Sequence, residues 1–167
     1  MIGTTIGPYV VERELGRGGM GVVYDARHVG LNQQVAIKVL LPEMSGDPSL
    51  IDRFFAEAQA AAASRHPGIV RILDVSRLHD IAYIVMEFLE GESLTTRLAR
   101  AAPLPIADVL AITRQLASAL SAAHAAGVVH RDLKPDNVYV VPDPDMPLGE
   151  RTKILDFGIA KIASHLA

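Results

Sequence analysis

A glycine-rich segment near the amino terminus is the feature that most restricts the fold. The segment contains three spaced glycines, Gly16, Gly18 and Gly21. The same spacing occurs in dinucleotide-binding proteins, where the glycines begin a helix. Here Val22-Val23-Tyr24 follows the last glycine, and this β-branched and aromatic run favours a strand. We therefore predict that the segment joins two strands and that its main-chain N–H groups can face phosphate. An ordinary glycine-rich hairpin fits the segment equally well.

The order of predicted elements indicates two parts. The first part reads as three strands, one helix and two strands, over Tyr9–Leu15, Val22–Arg27, Gln34–Leu40, Asp47–Ser64, Ile69–Val75 and Ala82–Glu87. Asp47-Pro48 is typical of an N-cap followed by proline at the first helical position. The second part reads as a short helix, a long helix that Gly127 closes and a short strand, over Leu94–Arg100, Ile106–Ala126 and Thr152–Leu155.

Composition excludes several functional classes. The net charge of −3 argues against a general nucleic-acid-binding protein, for which a basic balance is expected. The chain contains no cysteine, which excludes disulfides, thiolate metal sites and a cysteine nucleophile and fits a cytoplasmic location. The first residues lack the pattern of a signal peptide, and no apolar run approaches the roughly 20 residues that a membrane-spanning helix needs. We therefore expect neither nucleic acid nor a membrane segment.

The stretch from His130 to Asn137 has the side chains that phosphoryl transfer needs. It places a carboxylate, a cation and a carboxamide within six residues, at Asp132, Lys134 and Asn137. Asp132 could orient a hydroxyl group and accept its proton, Lys134 could neutralise phosphate charge, and Asn137 could hold a metal ion. A second candidate metal ligand, Asp156, follows in Asp156-Phe157-Gly158. No histidine has metal-ligand spacing, so we assign none as a ligand or base.

Lys38 is an unexpected charge in an apolar predicted strand. It either faces solvent or is buried and paired, and the first alternative is the commoner one. Ala36 lies on the same face by the two-residue period, and its small side chain leaves room for a planar ring. Glu57 lies on or near the apolar side of the following helix, where a solvated carboxylate and a partner for Lys38 are both plausible.

Taken together, these motifs resemble those of a eukaryotic-type serine/threonine protein kinase of the bacterial kind, from about Tyr9 to Lys161. The resemblance implies ATP and Mg²⁺ as cofactors and protein serine or threonine hydroxyls as acceptors. Lys134, two residues after Asp132, favours these hydroxyls over tyrosine. It also implies that Lys38, paired with Glu57, contacts the α- and β-phosphates, and that Asn137 and Asp156 bind the metal. The remaining nucleotide contacts implied are Gly16, Gly18, Gly21, Val23, Ala36 and the backbones of Glu87 and Leu89.

The resemblance also implies the architecture. The fold class expected is α+β and protein-kinase-like: a five-stranded antiparallel sheet with one helix, then the first part of a mainly helical lobe. The expected domains are a nucleotide-binding lobe over residues 1–90 and a partial catalytic lobe over residues 91–167. His130 is expected to pack beneath the Phe157 ring.

In this family the segment after Asp156 continues to an Ala-Pro-Glu-type motif, which does not occur before the chain ends at Ala167. We therefore expect a catalytic domain truncated after Asp156-Phe157-Gly158, with C-terminal regulatory domains missing. The alternative function is a catalytically inactive module, derived from such a kinase, that binds ATP or a partner.

Overall fold

A computed structural model of the chain describes residues 1–157. Residues 158–167, which include Gly158 of the Asp156-Phe157-Gly158 motif, lie outside the described part. The chain divides into two compact units. Unit 1 combines Met1–Ala58 with Arg71–Phe88, and unit 2 combines Gln59–Val70 with the chain from Leu89 onwards.

Unit 1 is built on an antiparallel sheet of six described strands, which span Thr5–Ile6 (β1), Tyr9–Arg17 (β2), Gly21–His28 (β3), Gln33–Leu40 (β4), Ile72–Leu78 (β5) and Ile81–Glu87 (β6). Their order across the sheet is β1-β2-β3-β4-β6-β5. The described sheet thus has six strands, and the prediction of five was wrong by one. The additional strand, β1, contains only two residues, which is too short for an alternating pattern to indicate it.

The fourth predicted strand is displaced along the chain. It was expected over Ile69–Val75, whereas β5 begins at Ile72. Residues 69 and 70 have other partners: Val70 N–H donates to the carbonyl of Ile154 at 3.0 Å, and Ile69 forms an isolated bridge with the same residue. Their apolar side chains are buried for that reason, and periodicity cannot distinguish this burial from burial in a strand.

The two faces of the unit 1 sheet differ in composition. Because side chains alternate along a strand, neighbouring positions of β3 and β4 point to opposite faces. One face carries a buried apolar cluster that holds most of the large side chains, including three tyrosines: Ile6, Tyr9, Val11, Val22, Tyr24, Ala26, Val35, Ile37, Val39, Tyr83 and Val85. The other face carries Val23, Ala36 and Lys38, and also the buried apolar side chains of Leu40, Ile84 and Met86. These candidate functional residues therefore lie on the face opposite the tyrosine-containing cluster.

Helix α1 spans Pro48–Ala63 and begins as the sequence predicts. Asp47 Oδ1 accepts hydrogen bonds from Ser49 N–H at 2.8 Å and from the Ser49 hydroxyl at 2.7 Å. These bonds lower the pKa of Asp47, the side-chain bond from Ser49 being the main cause. Asp47 thus satisfies one of the main-chain donors that a helix start leaves without a partner.

Between Leu89 and Phe157, the described part of unit 2 contains three short strands and two α-helices. Strands β7, β8 and β9 form an antiparallel sheet in that order. The elements span Glu92–Ser93 (β7), Leu94–Ala101 (α2), Ile106–Ala125 (α3), Val138–Pro142 (β8) and Glu150–Ile154 (β9). Gly127 closes α3 as predicted: it has a φ of 76°, which favours glycine, and Val128 N–H donates to Ala123 O at 2.9 Å.

Helix α3 is long and apolar enough to span a membrane by length and composition alone, which the sequence analysis did not expect. Core helices of water-soluble proteins pass the same test, but they are mostly buried, whereas most of this helix is not. Ile112, Ala119 and Ala123 are buried, whereas Ile106 and Leu110 are exposed. A single helix of this kind is weak evidence for a membrane location.

An ionic cluster joins β7, α2 and β9. Arg97 donates two hydrogen bonds to the carboxylate of Glu150, at 2.6 and 2.8 Å, and a third to Glu92 at 2.9 Å. Arg100 also donates to Glu92, at 2.5 Å. Hydrogen bonding to Arg97 lowers the pKa of Glu150, and hydrogen bonds from Arg100 and Arg97 lower the pKa of Glu92. Both carboxylates are therefore ionised at neutral pH.

His66 fixes the segment that follows α1. Its Nδ1 accepts a hydrogen bond from Gly68 N–H at 2.9 Å, so Nε2 carries the proton and donates to Ser118 Oγ at 3.1 Å. Burial, and secondarily the nearby Arg151, lowers the pKa of His66. The ring is thus held neutral, and its role is structural, in agreement with the sequence analysis.

Gly21→Ala should destabilise the protein by about 1–3 kcal/mol, the usual cost of an overpacked interior. A Cβ atom at Gly21 would lie 2.5 Å from the main-chain oxygen of Val39, which cannot rotate away. Gly19→Ala is the matched control, because a Cβ there meets nothing within 4 Å. We expect the control to change the free energy of unfolding in urea by less than about 0.5 kcal/mol. Equal effects of the two substitutions would contradict the close approach at Gly21.

Acidification should destabilise the protein through His66. Because folding lowers the pKa of this ring, its contribution is fully present above its ordinary pKa of 6.5 and is lost as the pH falls below that value. His130, whose pKa is also lowered by burial, acts in the same range, so the urea midpoint should fall between about pH 7.5 and pH 5.5, above the range in which the lowered carboxylate pKa values act. His66→Asn keeps an acceptor for Gly68 N–H without a titratable ring, so its midpoint should fall less. His79→Asn, at an exposed turn, is the control and should follow the parent.

Candidate functional site

The glycine-rich segment connects two paired strands, as predicted. Gly16 in β2 lies opposite Val23 in β3, and the two strands join through the residues between Arg17 and Gly21. Gly18 N–H donates to Gly21 O at 2.9 Å, which closes the turn. A Cβ atom at Gly16 would meet nothing within 4 Å, and one at Gly18 only the oxygen of Gly21 at 4.0 Å. Space beside the loop is therefore open at these glycines, while Gly21 is fixed by the sheet.

Three of the predicted nucleotide-binding residues share one face of unit 1. Val23 lies opposite Lys38 in the register of β3 and β4, and Ala36 lies two residues before Lys38. Ala36 is buried and Val23 half-buried. The small alanine and the aliphatic valine form a low apolar surface beside the lysine, which suits a flat ring attached to phosphates.

Lys38 is buried and paired, so the less common of the two alternatives holds. Its Nζ lies 3.4 Å from Glu57 Oε2, and each side chain is only 10% exposed. A charge at this depth is stable only with a partner, because removal from water disfavours the ionised form. Glu57 is thus the predicted partner rather than a solvated helix carboxylate. The pair holds the ammonium group at a fixed point on the sheet face.

Glu87 and Leu89, the two residues predicted to contact an adenine edge, lie at and just after the end of β6. Glu87 N–H donates to Arg71 O at 3.0 Å, and its Oε1 accepts from Arg71 N–H at 2.7 Å. The N–H of Glu87 is therefore engaged within unit 1, and a ring contact at this residue has to involve its carbonyl oxygen. Leu89 is half-buried and belongs to unit 2.

The predicted catalytic loop is held by its own polar groups. Asn137 Nδ2 donates to the main-chain oxygen of Asp132 at 2.9 Å, and Asn137 N–H donates to Lys134 O at 2.9 Å. Lys134 Nζ lies 3.2 Å from Asp132 Oδ2. The structure thus brings the three predicted catalytic side chains together. The sequence predicts Asn137 as a catalytic residue and a metal ligand; the additional role of its amide nitrogen, which anchors the loop, was not predicted.

The strand that leads to Asp156 is attached to the same loop. Leu155 N–H donates to Asn137 O at 2.9 Å, and Leu155 O accepts from His130 Nε2 at 2.8 Å. The His130 and Phe157 rings lie 4.8 Å apart between centroids, so the predicted packing of these rings is present. Burial is the main cause that lowers the pKa of His130. The neutral ring is a structural donor and not a base.

Asn137 and Asp156 offer the donor atoms that a hard divalent cation prefers. Because Asn137 Nδ2 is used by Asp132 O, its Oδ1 is the atom that can bind a metal, and Asp156 supplies an exposed carboxylate. Residues 1–157 contain no group of three or more His, Cys, Asp or Glu side chains that could hold a metal ion. Mg²⁺ typically takes few protein ligands and completes its shell with water and phosphate oxygens, so this donor set fits it.

Comparison with known proteins agrees with this arrangement. Residues 9–166 match the protein kinase domain family. The chain is 43% identical over 164 residues to serine/threonine-protein kinase Pkn1 of Myxococcus xanthus, and this match covers 98% of the chain but 23% of Pkn1. It is 42% identical to serine/threonine-protein kinase PknA of Mycobacterium tuberculosis, over 96% of the chain and 37% of PknA.

Solved structures give the same answer for the fold. A crystal structure of the Mycobacterium tuberculosis PknI kinase domain superimposes with a TM-score of 0.77 at 36% identity. That match covers 95% of the chain and 63% of the PknI domain. The chain thus spans less than two thirds of these relatives. With the sheet, the paired lysine and the two joined loops described above, the match over residues 9–166 shows that the chain belongs to the protein kinase domain family.

Proposed function

We propose that the chain supplies the nucleotide-binding and catalytic-loop parts of a serine/threonine protein kinase that transfers phosphate from ATP in the presence of Mg²⁺. Membership of the family implies ATP and a divalent metal ion. The relatives named above are serine/threonine kinases, which supports these hydroxyls as acceptors. The position of Lys134, two residues after Asp132, favours the same acceptors.

The observation that carries the proposal is the geometry of the loop around Asp132. Its carboxylate lies 3.2 Å from Lys134 Nζ, its main-chain oxygen is bound by Asn137, and Leu155 attaches the loop to the strand before Asp156. A proton acceptor, a cation and two oxygen ligands for a metal are therefore fixed by main-chain and amide hydrogen bonds. Phosphoryl transfer depends on such positioning and charge neutralisation rather than on covalent catalysis.

In this proposal unit 1 holds the nucleotide. Lys38, oriented by Glu57, neutralises charge on the α- and β-phosphates, and the N–H groups of the glycine-rich loop lie over them. Val23 and Ala36 pack on the adenine ring, while the backbones of Glu87 and Leu89 bind its edge. The burial of Lys38 supports this role, because a cation fixed at low dielectric interacts more strongly with phosphate than a solvated one.

Unit 2 carries the chemistry. Asp132 accepts the proton of the attacking hydroxyl, and Lys134 balances the charge that develops on the transferred phosphoryl group. Asn137 Oδ1 and the Asp156 carboxylate are the groups that would hold Mg²⁺. When bound, Mg²⁺ supplies neutralisation of phosphate charge. The first three of these residues lie in the catalytic loop, and Asp156 lies just after the end of β9.

The proposal extends to the setting of the chain. We propose protein substrates, a cytoplasmic location and regulatory domains beyond this chain. The last point is supported by the small shares of Pkn1 and PknA that the chain covers. Residues 1–90 would form the nucleotide-binding lobe and residues 91–167 part of the catalytic lobe.

Lys38→Met should lower phosphotransfer by about 100- to 1000-fold, the scale for loss of one preorganised electrostatic contact to a transition state. Methionine keeps the apolar stem but removes the cation beside the buried Glu57, so a urea titration must show that the variant is folded under the assay conditions. Glu57→Gln should lower the rate in the same direction, because it removes the group that orients Lys38. Asp52→Asn, an exposed carboxylate on the same helix, is the control. The measurement is phosphate transfer from labelled ATP to a protein acceptor. A Lys38→Met protein with the parent rate would refute the role of Lys38.

Asp132→Asn should lower phosphotransfer by about 100- to 10,000-fold and leave the dissociation constant of MgATP nearly unchanged. The reason is that Asp132 contacts the acceptor hydroxyl and not the nucleotide. Calorimetry with MgATP and the transfer assay together separate the two effects. Asp145→Asn, an exposed carboxylate, should alter neither. Equal losses of affinity and rate would point to a structural Asp132. A parent protein that binds MgATP but transfers nothing would instead fit the inactive ATP-binding module.

A further inference from the structure

Strand β9 has an edge that no strand covers in the described part of the chain. It is the last strand of the order β7-β8-β9, with β8 on one side. Such an edge presents a row of main-chain N–H and C=O groups, which cost stability when they are buried without partners. Because the side of a strand alternates with each residue, the groups on the outer edge here are those of Glu150, Thr152 and Ile154. Asp156 follows two residues after the last of these.

The side chain of Gln115 forms hydrogen bonds with the outer edge of β9, as a neighbouring strand would. Gln115 Oε1 accepts a hydrogen bond from Thr152 N–H at 2.7 Å, and Gln115 Nε2 donates to Glu150 O at 3.2 Å. A carboxamide carries a donor and an acceptor as a peptide group does, so one side chain satisfies both groups of the strand edge. Thr152 is buried, which makes replacement of this bond by water unfavourable.

The position of Gln115 on α3 explains how it reaches this edge. It lies three residues after Ile112 and four before Ala119, both of which are buried, so all three lie on the inward face of the helix. The outer edge continues with Ile154, whose N–H donates to Gly68 O at 2.8 Å and whose carbonyl accepts from Val70 N–H at 3.0 Å. Four main-chain groups of this edge therefore have partners: Glu150 O and Thr152 N–H on Gln115, and Ile154 N–H and O on the segment of Gly68 and Val70.

We propose that Gln115 is a positioning residue for Asp156, acting through β9 to hold that carboxylate where a metal ion on ATP is bound. The inference rests on the proposed function, since it concerns the same metal site. Asp156 has a φ of 49°, a backbone conformation that a non-glycine residue keeps only when its surroundings fix it. Two groups of contacts lie on the chain before it: the bonds of Leu155 to the Asp132 loop, and the bonds of Gln115 to the first half of β9.

The test compares Gln115→Met with the parent by two measurements. Methionine has a similar length without the hydrogen bonds, so amide exchange in residues 150–157 should become at least about ten times faster. The dissociation constant of ATP should rise about tenfold in Mg²⁺ and stay unchanged in EDTA, because only the metal-dependent contacts involve Asp156. A purely structural role would instead weaken ATP binding equally with and without the metal, and that result would overturn the proposal.

Three further variants keep the test decisive. Gln115→Glu keeps the acceptor for Thr152 N–H and loses the donor to Glu150 O, so it should give an intermediate exchange rate. It also replaces Gln115→Met if that protein does not fold. Thr152→Val removes a buried hydroxyl that has no hydrogen-bond partner within residues 1–157 and leaves the main-chain bond to Gln115 intact. Arg114→Gln changes an exposed neighbour on α3. Both controls should match the parent in exchange and in the effect of Mg²⁺.

The two measurements also separate this inference from the proposed function. A parent protein that binds no ATP with or without Mg²⁺ would refute the proposed function, while the exchange rates would still show whether Gln115 holds β9. Unchanged exchange in Gln115→Met would refute the positioning role even if the parent binds MgATP. Faster exchange together with a loss of affinity confined to Mg²⁺ would support both.

Discussion

The main chain of Leu155 is the attachment on which the candidate catalytic centre depends. Both of its polar groups are bound by the loop that contains Asp132, one by Asn137 O and the other by the His130 ring. Because Asp156 is the next residue, the distance between its Cα atom and this loop is set by one main-chain hydrogen bond and by one bond from the buried His130 ring. A centre that works through placement of charge needs this kind of rigidity, since small displacements weaken electrostatic stabilisation.

Unit 1 meets a different requirement, the burial of a charge. Strand β4 is aliphatic on both sides of Lys38, and Glu57, whose Oε2 lies 3.4 Å from Lys38 Nζ, places an opposite charge beside the buried ammonium group. A hydrophobic pair of similar volume would stabilise such a sheet at least as well. The ion pair is therefore poorly explained by stability alone, and the phosphate contact proposed for Lys38 would explain it.

The sequence predicts the long elements and the residue types of the site, and misses features that depend on distant partners. Helices α1 and α3 were placed to within a residue or two because periodicity, the Asp47 cap and Gly127 act locally. The displacement of β5 was not predictable, since Ile69 and Val70 are buried against Ile154, far along the chain. Gln115 was missed for the same reason: local sequence does not distinguish a bonded amide from a solvated one.

Asp156 and Arg131, the residue before Asp132, are held in a backbone conformation that favours glycine. Arg131 has a φ of 62° and Asp156 a φ of 49°, each at a cost of about 1–3 kcal/mol for a non-glycine residue. Each adjoins a residue with bound main-chain groups: Asp132 N–H donates to His130 O at 2.8 Å, and Leu155 is bound twice. Glycine would relieve the strain but remove the charge. The hydrogen bonds of the neighbouring residues therefore offset the cost of these backbone conformations. In return, a charged side chain is kept at each of these two sharp turns.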